Sequence, residues 1–194
     1  KFLNMKKLFL VGALALFGAM NAQTFGLKAG MNIASVTKGD GSRVSLNAGA
    51  LMNMPIAANF SIQPEVLYNG KGAKAKDMDE EGNVIKFTAA LDYISVPVMF
   101  QYNALPNLYL EAGPEFSFLI SAKAKADGKT VDRKDFTNSF DFGIGLGAGY
   151  FFTPQIGLTA RYVAGMTDIN KDNAGGDKTK NNVFQVGLAY KFVK

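Results

Sequence analysis

Residues 140–150 read FDFGIGLGAGY, and this stretch decides the fold. Apolar residues occupy every even position from Phe140 to Tyr150, while aspartate or glycine occupies every odd position between them. Successive side chains of a β-strand point to opposite faces, so this period of two predicts a strand. One face of that strand is bulky and apolar, and the other is small or polar.

The same alternation recurs in seven further segments of the chain. In order, the eight predicted strands cover residues 25–36, 44–54, 60–69, 87–102, 108–121, 139–152, 156–167 and 183–192. Tight turns at 57–59, 103–107 and 153–155 alternate with longer polar connections at 37–43, 70–86, 122–138 and 168–182. Short turns at one rim and long loops at the other are typical of an all-β, eight-stranded, antiparallel up-and-down transmembrane β-barrel.

The composition of the two faces predicts that the apolar face points outward to lipid. The other face is mainly glycine, serine, asparagine and glutamine, which suits a narrow interior better than a soluble surface. Aromatic residues fall at both ends of the predicted strands, as in two interfacial girdles. Three prolines, Pro64, Pro97 and Pro114, lie inside predicted strands and each lacks a ladder donor, so we expect bulges or strand ends there.

The N-terminus has the pattern of a secretory signal peptide. Lys6 and Lys7 precede the apolar run LFLVGALALFGAM at residues 8–20, and we expect cleavage after Ala22. The predicted organisation is a signal peptide at 1–22, with a short extension before Met5, and an outer-membrane barrel domain at 23–194. An uncleaved membrane anchor is the alternative. Removing three lysines leaves 21 − 3 = 18 basic against 16 acidic residues, so the net charge falls from +5 to +2. Nothing in this charge indicates a nucleic-acid partner.

Charged residues on the predicted inner face are the candidate site. They are Lys28, Glu65, Glu111, Glu115, Asp141, Arg161 and Lys191. Buried charges are costly unless they are paired, so we predict a lumen plug in which Arg161 pairs with Glu111 or Glu115. The alternative is a narrow ion path gated by Glu111, Glu115 and Arg161. Eight strands leave an interior filled by side chains rather than a porin-sized channel.

The residue types argue against catalysis. The chain has no cysteine and no histidine, which removes the thiolate nucleophile and the commonest general base. Glu111 and Glu115 share a strand face but lie roughly 13 Å apart by strand rise, too far for a glycosidase dyad. We therefore predict no enzyme activity.

Two motifs resemble ligand sites but lack the required spacing. The glycines at 143, 145, 147 and 149 do not form a G-x-G-x-x-G loop. We expect them to leave room in a crowded interior. The loop from Asp168 begins like a calcium loop but lacks glycine at its sixth place and glutamate at its twelfth, where Thr179 stands. We predict no metal and no cofactor. The charged tracts at 71–81 and 123–134 are expected to be solvated loop surface. The alternative is that they contact lipopolysaccharide phosphates or an external partner.

Several segments together resemble a known family. They are FGLKAGMNIASV (25–36), QPEVLYNGKGAK (63–74), LDYISVPVMFQY (91–102), LYLEAGPEFSFLI (108–120), DFGIGLGAGYFF (141–152) and FQVGLAYKF (184–192). In order and spacing they resemble the PorT-like outer-membrane β-barrel domain family common in Bacteroidota. The resemblance implies insertion by the barrel-assembly machinery, which recognises a last strand ending in an aromatic. Tyr190 and Phe192 would serve, although Val193 and Lys194 follow. A namesake is tied to protein secretion, a role that the fold alone does not transfer.

Three functions compete at this point. The first is an integral outer-membrane barrel with a structural or interaction role and outward loops. The second is a narrow ion-passing or secretion-accessory barrel. The third is a soluble periplasmic ligand-binding barrel. Outer-membrane lipid, lipopolysaccharide and, during insertion, the barrel-assembly machinery are the expected partners of the first.

Overall fold

The computed structural model describes residues 23–37, 39, 41–78, 84–126, 129–171 and 178–192. The predicted signal peptide at 1–22 lies outside the described residues. The strands are β1 (Thr24–Val36), β2 (Gly41–Ala57), β3 (Phe60–Met78), β4 (Val84–Leu105), β5 (Leu108–Ala126), β6 (Lys129–Asp132), β7 (Phe140–Phe151), β8 (Ile156–Gly165) and β9 (Asn181–Lys191). A 3-10 turn covers Lys134–Phe136. Within these ranges no helix is long and apolar enough to cross a membrane.

Eight of the strands form a closed antiparallel ring. Neighbours in the chain pair with one another from β1 to β5, β5 pairs directly with β7, and β9 pairs back onto β1 from Gly26–Lys191 to Val36–Asn181. The prediction of an eight-stranded antiparallel barrel is confirmed. The ninth strand, β6, is an addition to the predicted set, and it pairs only with the end of β5 beyond the ring.

The two faces of the wall are chemically opposite. Large apolar side chains point outward and are exposed, such as Leu46 and Leu146 at 64% and 61%. Polar and charged side chains at the alternate positions are buried, including Asn32, Glu65 and Arg161. A soluble ligand-binding barrel requires the reverse arrangement, because its apolar side chains must leave water.

Two of the predicted loops are largely strand. The hairpin of β3 and β4 continues through most of 70–86, and β5 continues to Ala126 before β6 folds back on it. We call residues 71–78, 84–91, 122–126 and 129–132 the outer extension. Alanine and lysine alternate along it, at 73–76 and at 122–126, so the period of two persists beyond the ring. The expectation that 71–81 and 123–134 are loop is wrong for these strand residues.

The expected bulges at prolines are not present. Pairing of β3 with β4 passes from Pro64–Val98 to Leu67–Ser95 in one register, and β4 with β5 passes likewise from Pro97–Glu115 to Phe100–Ala112. Pro114 pairs with Ile144 in an unbroken ladder. The prolines lack an N–H donor and interrupt the hydrogen bonds of the ladder, but the strand register does not shift, since the pairs on both sides keep it. Register shifts occur elsewhere, between Ser42/Asn47, Pro55/Ala57, Asp92/Tyr93 and Asn103/Leu105.

Aromatic side chains form a belt at each end of the ring. At the short-turn rim, Phe60 lies 5.2 Å from Tyr102 between ring centroids. At the opposite rim, Phe118 lies 5.7 Å from Phe140. All four rings are exposed on the outer wall. This arrangement agrees with two interfacial girdles.

Candidate functional site in the barrel lumen

The lumen contains a buried ionic network with Arg161 at its centre. Arg161 of β8 donates from Nε to Glu111 Oε1 of β5 at 2.7 Å. Its Nη1 and Nη2 donate to Glu65 Oε2 and Oε1 of β3 at 2.9 and 2.7 Å. The guanidinium is 1% exposed and both carboxylates are fully buried. This pairing of Arg161 with Glu111 is one of the two that the sequence predicts, and the bidentate pair with Glu65 joins it.

Amide side chains fix the two carboxylates from the short-turn side. Gln63 donates to Glu65 Oε1 at 2.8 Å, and Gln101 donates to Glu111 Oε2 at 3.0 Å. Asn53 in turn donates to Gln101 Oε1 at 2.8 Å. Carboxylates held by several charge-assisted donors are strongly oriented, so this layer positions Arg161 rather than leaving it free to move.

Lys28 of β1 lies at the edge of this network. Its Nζ is 3.6 Å from Glu65 Oε2, and the side chain is buried. The ammonium has no hydrogen-bond partner within the part of the chain that the structure describes. Lys28 therefore contributes charge to Glu65 without fixing its geometry.

A second network lies nearer the long-loop rim and is centred on Lys71. Lys71 Nζ lies 3.0 Å from Glu115 Oε1 and 3.1 Å from Asp141 Oδ2, and it donates to Ser117 Oγ at 3.0 Å. Its Nζ also lies 5.0 Å from the centroid of the Tyr93 ring. Glu115 thus pairs with Lys71 and not with Arg161, so the predicted gate of Glu111, Glu115 and Arg161 is divided between two networks.

Further donors hold Asp141 in this second network. Thr167 donates to Asp141 Oδ1 at 2.8 Å, and Asn181 donates to Asp141 Oδ2 at 3.1 Å. These contacts bring β3, β5, β7 and β9 together through one carboxylate and one ammonium. The network therefore ties opposite parts of the wall across the lumen.

A third layer consists of amides without formal charge. Asn32 donates to Asn69 Oδ1 at 3.1 Å and to the Gly70 carbonyl at 2.9 Å. Asn47 donates to Asn32, and Gln185 donates to Asn69 Oδ1 at 3.1 Å. This layer fills the space beside β1, β2 and β9.

Glycines of β7 make room for the ionic side chains. A Cβ at Gly145 would lie 3.0 Å from Met99 Cε and 3.4 Å from Arg161 Cδ, and one at Gly147 would lie 2.9 Å from Glu111 Oε1. A Cβ at Gly149 would overlap the Tyr109 ring. The prediction that these glycines relieve crowding in the interior is confirmed.

Lys191 lies apart from both networks. It is half-buried at the short-turn rim, where its Nζ sits 4.1 Å from the centroid of the Phe151 ring. The neighbouring Tyr190 and Phe192 face outward at the same rim, with ring centroids 5.4 Å apart. Of the seven predicted charges, the structure therefore brings together Lys28, Glu65, Glu111 and Arg161 in one network, and Glu115 and Asp141 in another.

Lys71 is the one charged residue of the site that the sequence prediction misses. The glycines at 70 and 72 favour a loop, which would place the Lys71 side chain in solvent. The signal that identifies it is spacing, because Lys71 continues the inward series of Glu65, Leu67 and Asn69.

Buried side chains of both charges occupy the lumen. In the part of the chain that the structure describes, three buried cations (Lys28, Lys71 and Arg161) face four buried carboxylates (Glu65, Glu111, Glu115 and Asp141). Their formal charges sum to 3 − 4 = −1. Leu67, Met99, Val163 and Val183 fill space between the polar layers. Among the described residues, no group of histidine, cysteine or acidic side chains is arranged to hold a metal. In the predicted calcium-like loop, residues 172–177 lie outside the described residues, and Asp168 accepts backbone N–H groups from Asn170 and Thr179.

Comparison with known families identifies the family of this chain. A family model described as "Outer membrane protein beta-barrel domain" matches residues 19–171, which is most of the chain. A comparison with curated proteins found no match.

Comparison with solved structures finds small barrels. The crystal structure of Neisserial surface protein A (NspA) is 16% identical, with 87% of this chain and 97% of that chain covered and a TM-score of 0.54. Ail, the attachment invasion locus protein of Yersinia pestis, is 15% identical, with 88% and 97% covered and a TM-score of 0.48. A major outer membrane protein from Thermus thermophilus is 15% identical, with 89% and 100% covered and a TM-score of 0.48. The likeness to NspA shows a shared fold and nothing further.

Proposed function

Because the chain belongs to the outer membrane protein β-barrel domain family, and so is an integral outer-membrane protein, we propose that it acts as a closed, non-catalytic scaffold. In this role the ring anchors the protein in lipid, and the outer extension is presented on the outside. The side chains in the lumen link the strands and stabilise the barrel, and they do not form a path for solutes.

The observation that carries this proposal is the Arg161 network. Three hydrogen bonds of 2.7 to 2.9 Å join β8 to β3 and β5 through the middle of the lumen. Removing one partner of a buried ion pair lowers the free energy of unfolding by several kcal/mol, because the remaining charge stays buried. An interior held in this way supports a structural role.

The narrower family assignment is part of the proposal. The six segments that resemble the PorT-like, Bacteroidota-type barrels support that subgroup, and the residue pattern at 1–22 supports export with a cleaved signal peptide. Tyr190 and Phe192 are exposed near the end of β9, which suits recognition by the barrel-assembly machinery during insertion. Outer-membrane lipid and lipopolysaccharide are the proposed surroundings of the mature barrel.

Membrane fractionation with protease shaving tests the placement and orientation. We expect the protein in the outer-membrane fraction, with gel mobility that changes on heating. Trypsin added to intact cells should cleave within the outer extension, for example at Lys74 or Lys86, and leave the ring intact. Cleavage only after the outer membrane is permeabilised would contradict the outward orientation.

A narrow ion path is the second candidate. It is favoured by polar atoms that are buried without a hydrogen-bond partner among the described residues, such as Lys28 Nζ and Glu115 Oε2, which a passing ion could contact. Planar-bilayer recording separates the two functions. The scaffold predicts no unitary current in the native protein. Current steps that change on Arg161→Gln would support the ion path instead.

A further inference from the structure

One face of the outer extension carries a dense group of lysines. Lys76 of β3 is directly opposite Lys86 of β4, and Thr88 of β4 has Lys74 on one side and Lys125 of β5 on the other. Lys123 lies two residues before Lys125 on the same face. Directly paired and alternate residues of an antiparallel sheet share a face, so these five residues form one surface. We call Lys74, Lys76, Lys86, Lys123 and Lys125 the lysine face.

The lysine face places five positive charges on the described strands of the outer extension. All five side chains are exposed. None of them forms an ion pair within the part of the chain that the structure describes. Asp132 is opposite Lys123 in the ladder and is the acidic residue that β6 adds to this face. The opposite face of the same strands is instead built from Ala73, Leu91, Ala122 and Val131.

The lysine face continues the lipid-facing wall of the barrel. The outward series of β3 passes from Val66 and Tyr68 to Lys74 and Lys76, and that of β4 passes from Ile94 to Lys86. The lysines therefore point sideways, in the direction of the surrounding lipid, and not into the mouth of the barrel. Six residues of strand separate Tyr68 from Lys74, about 20 Å along the strand and about 15 Å of height at the usual tilt.

This position matches the polar layer of the outer leaflet. The lysines begin beyond the aromatic belt of Tyr68, Phe118 and Phe140, which marks the edge of the hydrocarbon. Lysine side chains are long and extend their charged ends along a wall toward headgroups. Several cations close together on a wall are suited to phosphate groups held at a fixed lateral distance from the barrel.

We propose that the lysine face binds the phosphate groups of lipopolysaccharide molecules adjacent to the barrel. The inference rests on the proposed function, because it needs the outer extension to lie on the outer side of the outer membrane. A sulfated polysaccharide is another polyanion of suitable charge. The sideways direction of the lysines, continuous with the lipid-facing wall, favours the lipid.

The experiment measures retention of lipopolysaccharide by the purified, refolded full-length barrel. The protein is immobilised in neutral detergent micelles that contain a rising mole fraction of phosphorylated rough lipopolysaccharide. Each lysine near an anionic membrane surface contributes about fivefold to association. Replacing all five lysines of the lysine face by glutamine should raise the half-saturating mole fraction at least about 25-fold, which is the effect of two engaged lysines.

A matched variant controls for total charge. Lys129, Lys134, Lys171, Lys178 and Lys180 lie outside the lysine face, and replacing these five by glutamine removes the same charge. This variant should retain lipopolysaccharide like the native protein, and dephosphorylated lipopolysaccharide should bind the native protein as weakly as phosphorylated material binds the lysine-face variant. Equal losses in the two variants would overturn the proposal, and so would undiminished binding after dephosphorylation.

Two further readouts distinguish a lipopolysaccharide site from a polysaccharide site and from loss of the barrel fold. Retention of a heparin fragment with no retention of lipopolysaccharide would overturn the proposal in favour of a polysaccharide partner. Heat-modifiable mobility in micelles reports the barrel itself. All variants may keep heat-modifiable mobility while the lysine-face variant retains lipopolysaccharide as well as the native protein does. That result would support the scaffold and overturn the lipopolysaccharide site. A native protein without heat-modifiable mobility in any micelle or vesicle would contradict the scaffold itself.

Discussion

Replacing Arg161 by methionine is the most direct test of whether the ionic network in the lumen stabilises the barrel. The change keeps a long side chain and removes the charge together with its three hydrogen bonds to Glu65 and Glu111. The two carboxylates then remain buried, and the cation that contacted both of them is gone.

The magnitude follows from which partners remain. Removal of one member of a buried ion pair costs about 3–5 kcal/mol. Glu65 keeps Lys28 at 3.6 Å, while Glu111 keeps, among the described residues, only its hydrogen bond from the amide of Gln101 at 3.0 Å. We therefore expect a loss of about 4 kcal/mol in the free energy of unfolding, arising mainly from Glu111.

Urea unfolding in phosphatidylcholine vesicles, followed by gel mobility and circular dichroism, measures this loss. Adding Glu111→Gln to Arg161→Met should recover about 2 kcal/mol, because it removes the unpaired charge. Adding Glu65→Gln should recover less, because it deprives Lys28 of its carboxylate. The urea dependence of the free energy should stay the same in all variants, since the surface exposed on unfolding does not change.

A small effect would refute this reasoning. If Arg161→Met costs less than about 1 kcal/mol, the range of a solvent-exposed pair, then water solvates the two carboxylates in the lumen. Equal recovery by Glu65→Gln and Glu111→Gln would show that Lys28 does not compensate Glu65. Either result would favour the ion-path function.

Three further substitutions test other parts of the wall. Lys71→Met should lower the free energy of unfolding by about 3 kcal/mol in the same urea assay, with partial rescue by Asp141→Asn, because both charges are buried. Gly149→Ala should prevent heat-modifiable folding by colliding with the Tyr109 ring, and Tyr109→Leu should restore it; native mobility of Gly149→Ala alone would contradict this crowding. Phe60→Ala should cost about 1 kcal/mol through its lost ring contact at the short-turn rim; no change would mean that this rim is not interfacial.

The sequence is sufficient to predict the ring and the direction of its side chains. A period of two has only two possible phases, and the bulky residues of strands such as 140–150 select one of them. The inward position of Glu65, Glu111 and Arg161 follows from that phase alone.

The same pattern does not predict which inward side chains contact one another across the lumen. Arg161 and Glu65 are 96 residues apart, and their contact depends on strand tilt and on the stagger between neighbouring strands. Stagger changes at each register shift, such as the one between Asp92 and Tyr93, and no single residue type is common to these sites. The sequence therefore predicts a partner for Arg161 but not Glu65, and it does not separate Glu115 from the same network.

The extent of the strands beyond the ring is predictable in principle. The alternation of Ala73, Lys74, Ala75 and Lys76 has the same period as the ring strands. Glycine and lysine are common in loops, and a prediction that weighs this composition above the period places both Lys71 and the lysine face in loops. Ladder pairing with β4 and β5 shows that the period is the better guide here.

The ladder between β1 and β9 has a consequence for how the molecule is assembled. Its pairs join residues as far apart as Gly26 and Lys191, a separation of 165 positions. The β1–β9 ladder, the seam of the ring, therefore forms only after the final strand has been synthesised. Until then two open strand edges carry unsatisfied amide and carbonyl groups, which hydrocarbon does not tolerate. Insertion into the bilayer and closure of the seam must therefore be coupled, since a partly formed sheet with open edges is unstable in hydrocarbon.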